Sequence, residues 1–142
     1  MALNLKQLAH VCIFARDVEE TRRFYEDVLG MKTVFNFTRQ GKIFGFYLDA
    51  GNRTFVEVFE NGSAEYSGKN QINHLCLEVE DLPEAVAHIR AQGIEPTAPK
   101  KGVDETWQAW IDDPNGVKIE IFQYTDVSVQ FSGGGKSIEA DW

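Results

Sequence analysis

Ile72-Asn73-His74-Leu75-Cys76-Leu77-Glu78-Val79-Glu80-Asp81 is one of two versions of the same phrase, and the architecture follows from the pair. The other version is Leu8-Ala9-His10-Val11-Cys12-Ile13-Phe14-Ala15-Arg16-Asp17, and His10, Cys12 and Asp17 each recur 64 positions later. Each copy reads as a short apolar strand that ends in an aspartate able to start a helix. Side chains alternate across a strand, so each histidine shares a face with the cysteine two residues on. One repeat of this length in 142 residues means duplicated halves and not a solenoid array. Only three histidines are present, and two of them occupy equivalent places in the halves.

The rest of the composition narrows the class. At 142 residues, 43% apolar and 12% aromatic, the chain is expected to bury a real core as one globular domain. No apolar run approaches the ~18–20 residues of a membrane span, so no membrane partner is expected. The opening Met-Ala-Leu-Asn-Leu-Lys-Gln lacks the basic-then-apolar layout of a secretion signal. Two cysteines at matched repeat positions make no disulfide framework, which points to a reducing cytoplasm. Formal charge is 14 − 22 = −8. Nucleic acid would be repelled, and a small molecule is the expected partner.

Working outward, Asp17-Val18-Glu19-Glu20 opens a helix, with Asp as N-cap and Glu three residues later. Val18, Thr21, Phe24, Tyr25, Val28 and Leu29 give it one buried face, and Gly30 ends it. Asp81-Leu82-Pro83-Glu84 repeats the start, Val86, Ile89 and Arg90 continue, and Gly93 stops the second helix. Three strands are predicted after each helix: 33–38, 43–48 and 54–59, then 95–98, 106–112 and 117–123. Asp113-Pro114-Asn115-Gly116 reads as a tight turn. The polar segment 60–71 links the halves. The fold class is therefore α+β, two tandem βαβββ modules (about 6–60 and 72–124) in one domain, 6–124, with helices outside a cupped sheet. Residues 125–142 read as a tail, flexible by composition at Ser132-Gly133-Gly134-Gly135-Lys136, with Ile138 and Trp142 apolar enough to dock.

The last strand of each half places a glutamate inside an apolar run, Phe55-Val56-Glu57-Val58-Phe59 and Lys118-Ile119-Glu120-Ile121-Phe122. An unpartnered buried carboxylate is costly, so two at equivalent positions need a reason. His10, Glu57, His74 and Glu120 facing one cavity would give a divalent ion two imidazoles and two carboxylates. Mixed N and O donors suit Zn, Ni, Co, Fe or Mn. The bland alternative is four core residues satisfied by backbone, Lys or Arg. Cys12 and Cys76 read as small buried fillers, and His88 as structural or exposed. Phe44, Phe46, Tyr47, Trp107 and Trp110 read as mostly core, with alternate members lining the cavity. Lys100-Lys101-Gly102 reads as a solvated loop, with an anion clamp at a cavity mouth as its alternative.

Phe24-Tyr25-Glu26-Asp27-Val28-Leu29-Gly30-Met31 and Asp113-Pro114-Asn115-Gly116-Val117-Lys118-Ile119-Glu120 resemble the vicinal oxygen chelate superfamily. That group includes glyoxalase I, fosfomycin-resistance proteins, an acyl-CoA epimerase and extradiol dioxygenases. The resemblance spans about 6–124 and implies a metal held between paired modules. The order His-Glu-His-Glu is most similar to glyoxalase I (lactoylglutathione lyase). It implies His10, Glu57, His74 and Glu120 as metal ligands, Glu120 as catalytic base and Glu57 as alternate. Asn61 and Lys101 match residues that meet the thiol substrate there. Phe14 departs from the pattern, standing where the family has an Arg for the glutamyl carboxylate of glutathione; Arg16 and Arg39 are the candidate substitutes. The implied reaction turns a 2-oxoaldehyde–thiol hemithioacetal into an α-hydroxy thioester through an enediolate. The implied assembly is a homodimer sharing its sites, with a closed monomer as alternative. Epimerisation of an acyl thioester and metal-free small-molecule binding are the other activities the superfamily offers.

Overall fold

A computed structural model of the chain describes residues 3–64, 70–135 and 137–141, which fall into two units, Met1–Glu65 and Tyr66–Trp142. In the first, strand β1 (His10–Ala15) leads into helix α1 (Val18–Arg23), a π-helical turn (Phe24–Val28) and strands β2 (Lys32–Arg39), β3 (Lys42–Gly51) and β4 (Thr54–Glu60). In the second, β5 (Leu75–Glu78) is followed by α2 (Leu82–Ala91), β6 (Lys100–Lys101), β7 (Trp107–Asp112), β8 (Lys118–Gln123) and a short α3 (Val129–Ser132). The sheets are ordered β1-β4-β3-β2 and β5-β8-β7-β6. In both, the first strand runs parallel to the last and the other pairings are antiparallel. Each unit is thus a mixed four-stranded sheet with its helix at the periphery, the α+β class read from the repeat.

Local chemistry explains the matching starts and stops. Asp17 Oδ1 accepts from the Glu20 amide at 2.9 Å, and Asp81 Oδ1 accepts from the Glu84 amide at 2.9 Å, so each aspartate caps its helix. Past the helices, Gly30 and Gly93 take φ of 69° and 86°, which a side chain would resist. The Asp113 turn closes by itself: Oδ1 accepts from the amides of Asn115 and Val117, both at 2.8 Å.

Alternation then sorts the faces. Val18, Thr21, Phe24, Tyr25 and Val28 are buried, as are Phe46 and Leu48 of β3 and Val56 and Val58 of β4. Leu82, Val86 and Ile89 of α2 are buried with Ala109, Ile111, Ile119 and Ile121. Each large apolar side chain so buried contributes about 1.5–3 kcal/mol. That alternation sends His10, Cys12, Phe55, Glu57 and Phe59 to the face without the helix, and Cys76, Glu120 and Phe122 likewise.

Several expectations are corrected. The strand predicted over 95–98 is not formed; its place is taken by β6, two residues long. Pro96 and Pro99 supply no N–H to a ladder. Thr97 makes only two links to Trp110, its amide donating to the carbonyl at 3.0 Å and its hydroxyl accepting from the amide at 2.9 Å. The first helix widens into a π turn over its last residues instead of continuing as α-helix to Gly30. Arg90 lies outside the buried face and pairs with Glu95 at 2.7 Å. Cys12 and Cys76 are exposed, not buried fillers, because they lie on the helix-free face of strands at their sheet edges. Pattern does not dissolve at Thr125 either: Ser128 is fully buried and α3 follows it. The interior of the predicted linker, 65–69, and Lys136 and Trp142 of the tail lie outside the described residues.

Candidate metal and substrate site

In the first unit, β1 and β4 carry His10 and Glu57 on one face. Cys12 and Glu57 are direct register partners, and His10 is two residues before Cys12. His10 Nε2 lies 4.0 Å from Glu57 Oε1, with side-chain exposures of 44% and 19%. In the second, Cys76 is the register partner of Glu120, and His74 stands just ahead of β5. His74 Nε2 lies 3.2 Å from Glu120 Oε2, and here the exposures fall to 34% and 10%.

An aromatic residue backs each pair, and this went unread in the sequence. Tyr47 is the register partner of Glu57 and Trp110 that of Glu120. The His10 ring meets Tyr47 edge-on at 5.8 Å, and the His74 ring meets Trp110 edge-on at 4.8 Å. Both Tyr47 to Trp110 and Glu57 to Glu120 span 63 positions, so extending the repeat one strand further would have found the second pair. His74 Nδ1 is also 2.9 Å from Asn73 Oδ1. With Nδ1 turned to Asn73, Nε2 is the ring nitrogen that faces Glu120.

The donor chemistry fits a divalent ion in part within each unit. Ligands of an octahedral ion at about 2.1 Å lie about 3 Å apart, so the His74–Glu120 spacing suits neighbouring positions. Among the described residues, no group of three or more His, Cys, Asp or Glu is arranged to hold a metal. Each unit therefore offers a two-donor pair. Partial burial and the adjacent Glu120 carboxylate push the Cys76 thiol up to about 12, and burial followed by Glu57 also raises Cys12. Both sulfurs stay protonated near neutral pH and are poor metal ligands as they stand.

The substrate candidates are less well poised. Asn61 Oδ1 is engaged by the Ser63 amide at 3.1 Å and hydroxyl at 3.0 Å. Lys101 pairs with Glu105, and Lys100 with Asp141 at 3.7 Å. Phe14 is 53% exposed on the same face as His10. Arg39 stacks over Phe44 at 4.2 Å. His88 is exposed on α2, as read. The second unit holds a cavity of about 500 Å³ lined by His74, Glu120, Trp110, Gln108, Lys100 and Ile138, among others.

Residues 7–121 match the model of the Glyoxalase/Bleomycin resistance protein/Dioxygenase superfamily. The chain belongs to that superfamily. Against the lactoylglutathione lyase of Neisseria meningitidis it is 31% identical over 125 residues, covering 82% of this chain and 90% of that one. Its fold superposes on the glyoxalase family protein from Enterococcus faecalis with a TM-score of 0.72 at 25% identity, covering 84% and 99% of the two chains. The fosfomycin resistance protein FosX from Listeria monocytogenes shares the fold, with a TM-score of 0.67 at 15% identity over 86% of this chain and 96% of that one. The superfamily match stops at Ile121, so α3 and the segment after it lie outside it. Among the described residues, no helix is long and apolar enough to cross a membrane.

Proposed function

We propose that this chain is a metal-dependent isomerising lyase of the glyoxalase I type. It would convert the hemithioacetal of a 2-oxoaldehyde and a small thiol into an α-hydroxy thioester. The observation that carries this reading is the recurrence of one His–Glu pair, backed by one aromatic residue, in both units. Relatives named lactoylglutathione lyase at about 30% identity support it.

His10, Glu57, His74 and Glu120 would together hold one divalent ion, Ni, Zn, Co, Fe or Mn; two carboxylates balance its charge. When bound, that ion supplies Lewis acidity to the two substrate oxygens. Glu120 takes the proton from the carbon beside the carbonyl and returns it to the neighbouring carbon, with Glu57 as the alternate base. Trp110 and Tyr47 fix the imidazole rings and keep water from one side of each pair. Asn61 and Lys101 are the candidate thiol contacts, each after giving up its present partner. Residues 6–124 form the catalytic domain in this reading, acting in a reducing cytoplasm as a homodimer. His10 and Glu57 of one subunit would then join His74 and Glu120 of the other.

The test is turnover of methylglyoxal with a panel of thiols on protein loaded separately with Ni, Co, Zn and Mn. No turnover with any combination removes the reading. Metal analysis of protein purified without additions, beside a His74→Ala variant, tests the ligands; equal metal in both would exclude His74. Inactive Glu57→Ala and Glu120→Ala chains, once mixed, should regain activity if sites are shared. Failure after proven subunit exchange would favour a closed monomer.

One observation favours a second reading. Phe14, Phe35, Phe37, Tyr47, Phe55 and Phe59 make the helix-free face of the first unit aromatic where an Arg was expected. Metal-free protein that binds an aromatic ligand, with no turnover of hemithioacetal or acyl thioester, would identify a binding protein. Racemisation of a chiral acyl thioester by the two glutamates would instead identify an epimerase.

A further inference from the structure

The tail is held where it bears on the second pair. Val129 N–H donates to the Asp104 carbonyl at 2.9 Å, and Gln130 Nε2 donates to Asp104 Oδ2 at 2.6 Å. Thr125 Oγ1 donates to the Glu105 carbonyl at 2.7 Å. Phe131 packs edge-on against Tyr124, and Tyr124 against Phe122 of β8. Gly133 fits within reach of the Val129 carbonyl, where a Cβ would come to 2.5 Å. Gly134 and Gly135, at φ of 52° and 79°, then turn the chain. Past the turn, Ile138 and Asp141 line the cavity that holds His74, Trp110 and Glu120. Lys100, on the same wall, reaches Asp141 at 3.7 Å.

From this placement we infer that segment 137–141 is a selective strap over the His74–Glu120 cavity. In it, Asp141 occupies Lys100 as an internal carboxylate, and an anionic ligand enters by exchanging with it. The strap lies outside the residues matched by the superfamily model. Lys101 is already committed to Glu105, so both lysines of β6 are neutralised within the unit. In a chain of formal charge −8, a carboxylate ligand finds attraction here only if it displaces a carboxylate. The pair that must break is weak: its side chains are 71% and 49% exposed, and such pairs shift a population by no more than about fivefold. A neutral ligand gains nothing from Lys100 and is indifferent to the exchange. The strap thus discriminates by the charge of the ligand's end distant from the reacting carbon.

This inference rests on the cavity being a ligand site, as proposed above, and its test needs neither turnover nor metal. Full-length protein, Asp141→Asn and Lys100→Gln are compared by NMR of the Ile138 methyl groups. In the parent protein those resonances should stand apart from random-coil values, and both substitutions, or 0.5 M salt, should move them toward it. Calorimetric titration with (phenylthio)acetate and its neutral amide then reads the exchange. Asp141→Asn should bind the carboxylate about two- to fivefold more tightly than the parent, leave the amide unchanged, and lose this preference when Lys100→Gln is added. Random-coil Ile138 resonances in the parent overturn the strap. Equal tightening of carboxylate and amide overturns the charge exchange and leaves only a lid. Binding of neither probe to any variant refutes the exchange, while the methyl resonances still decide whether the strap docks.

Discussion

The two units repeat one plan and have then diverged around it. Both hold a His–Glu pair beside an aromatic residue, but the separation is 4.0 Å in the first and 3.2 Å in the second. The first unit spends its helix-free face on aromatic rings, with Phe35 stacked on Tyr47 at 4.9 Å and Phe44 on Phe59 at 5.6 Å. Outer strand β2 is eight residues long there, where β6 has two. The second unit exchanges that breadth for polar loops and a tail: Asp104, Gln108, Lys100 and Asp141 line its cavity. Duplication thus preserved the His–Glu pair and its aromatic neighbour, and divergence fell on the rings, loops and tail around them. On the function proposed above, the closer and better buried pair is the candidate for the reacting end, and Glu57 and Glu120 would then differ in duty.

The sharpest way to break that division is to neutralise each glutamate in turn. Glu120→Gln should lower kcat by about 10²–10⁴, the usual worth of a positioned general base, in protein shown by metal analysis to keep its ion. Glu57→Gln should cost distinctly less. Equal losses would mean that the carboxylates share proton transfer and that the difference in their surroundings has no catalytic meaning.

Packing gives a smaller contrast. Gly45 faces Phe59 in the first unit, and the position 63 residues on is Gln108 facing Phe122. A Cβ on Gly45 would come within 2.5 Å of the Val58 carbonyl and 2.7 Å of the Phe59 ring. Gly45→Ala should therefore destabilise the protein by about 1–3 kcal/mol through overpacking, read as a lower urea midpoint at unchanged slope. Gln108→Ala, which loses one hydrogen bond from Trp110 Nε1, should cost about 1 kcal/mol or less. If the order is reversed, the aromatic face of the first unit is looser than its geometry implies.

How far each feature could be read from sequence follows from how local its cause is. Asp17 and Asp81 announce the helices because a cap acts over three residues, and Gly30 and Gly93 end them for an equally local reason. Glu57 and Glu120 stood out because a charge inside an apolar strand breaks its own pattern. The edge strand was misread at 95–98 because the prolines on either side of Thr97 decide against a ladder more strongly than alternation decides for one. Exposure of Cys12 and Cys76 depends on what covers the helix-free face, which no local pattern states. The anchoring of Val129 and Gln130 to Asp104 joins residues about 25 positions apart through a backbone carbonyl and one carboxylate, and composition alone made that stretch look unstructured.

The smallest expected effect concerns that anchor, which the first unit lacks. Burial pushes the Asp104 carboxyl up, but hydrogen bonds from Thr106 and Gln130 outweigh it and hold it below the usual aspartate range. A group whose folded pKa is depressed stabilises the fold fully above its unfolded value, about 3.9, and loses that contribution as pH falls through the folded value. The carboxylate half of the anchor is therefore complete at neutral pH and weakens only in acid, while the Val129 bond to the Asp104 carbonyl does not titrate. NMR titration of the Thr106 backbone amide and the Gln130 side-chain amide should show one shared midpoint below that of a free aspartate. Asp104→Asn should flatten both curves, while amides around Asp17, the cap of the first unit, titrate as before. A shared midpoint at or above the free value would mean that burial prevails over the hydrogen bonds, and that Asp104 does not tie the tail to the second unit as an anion.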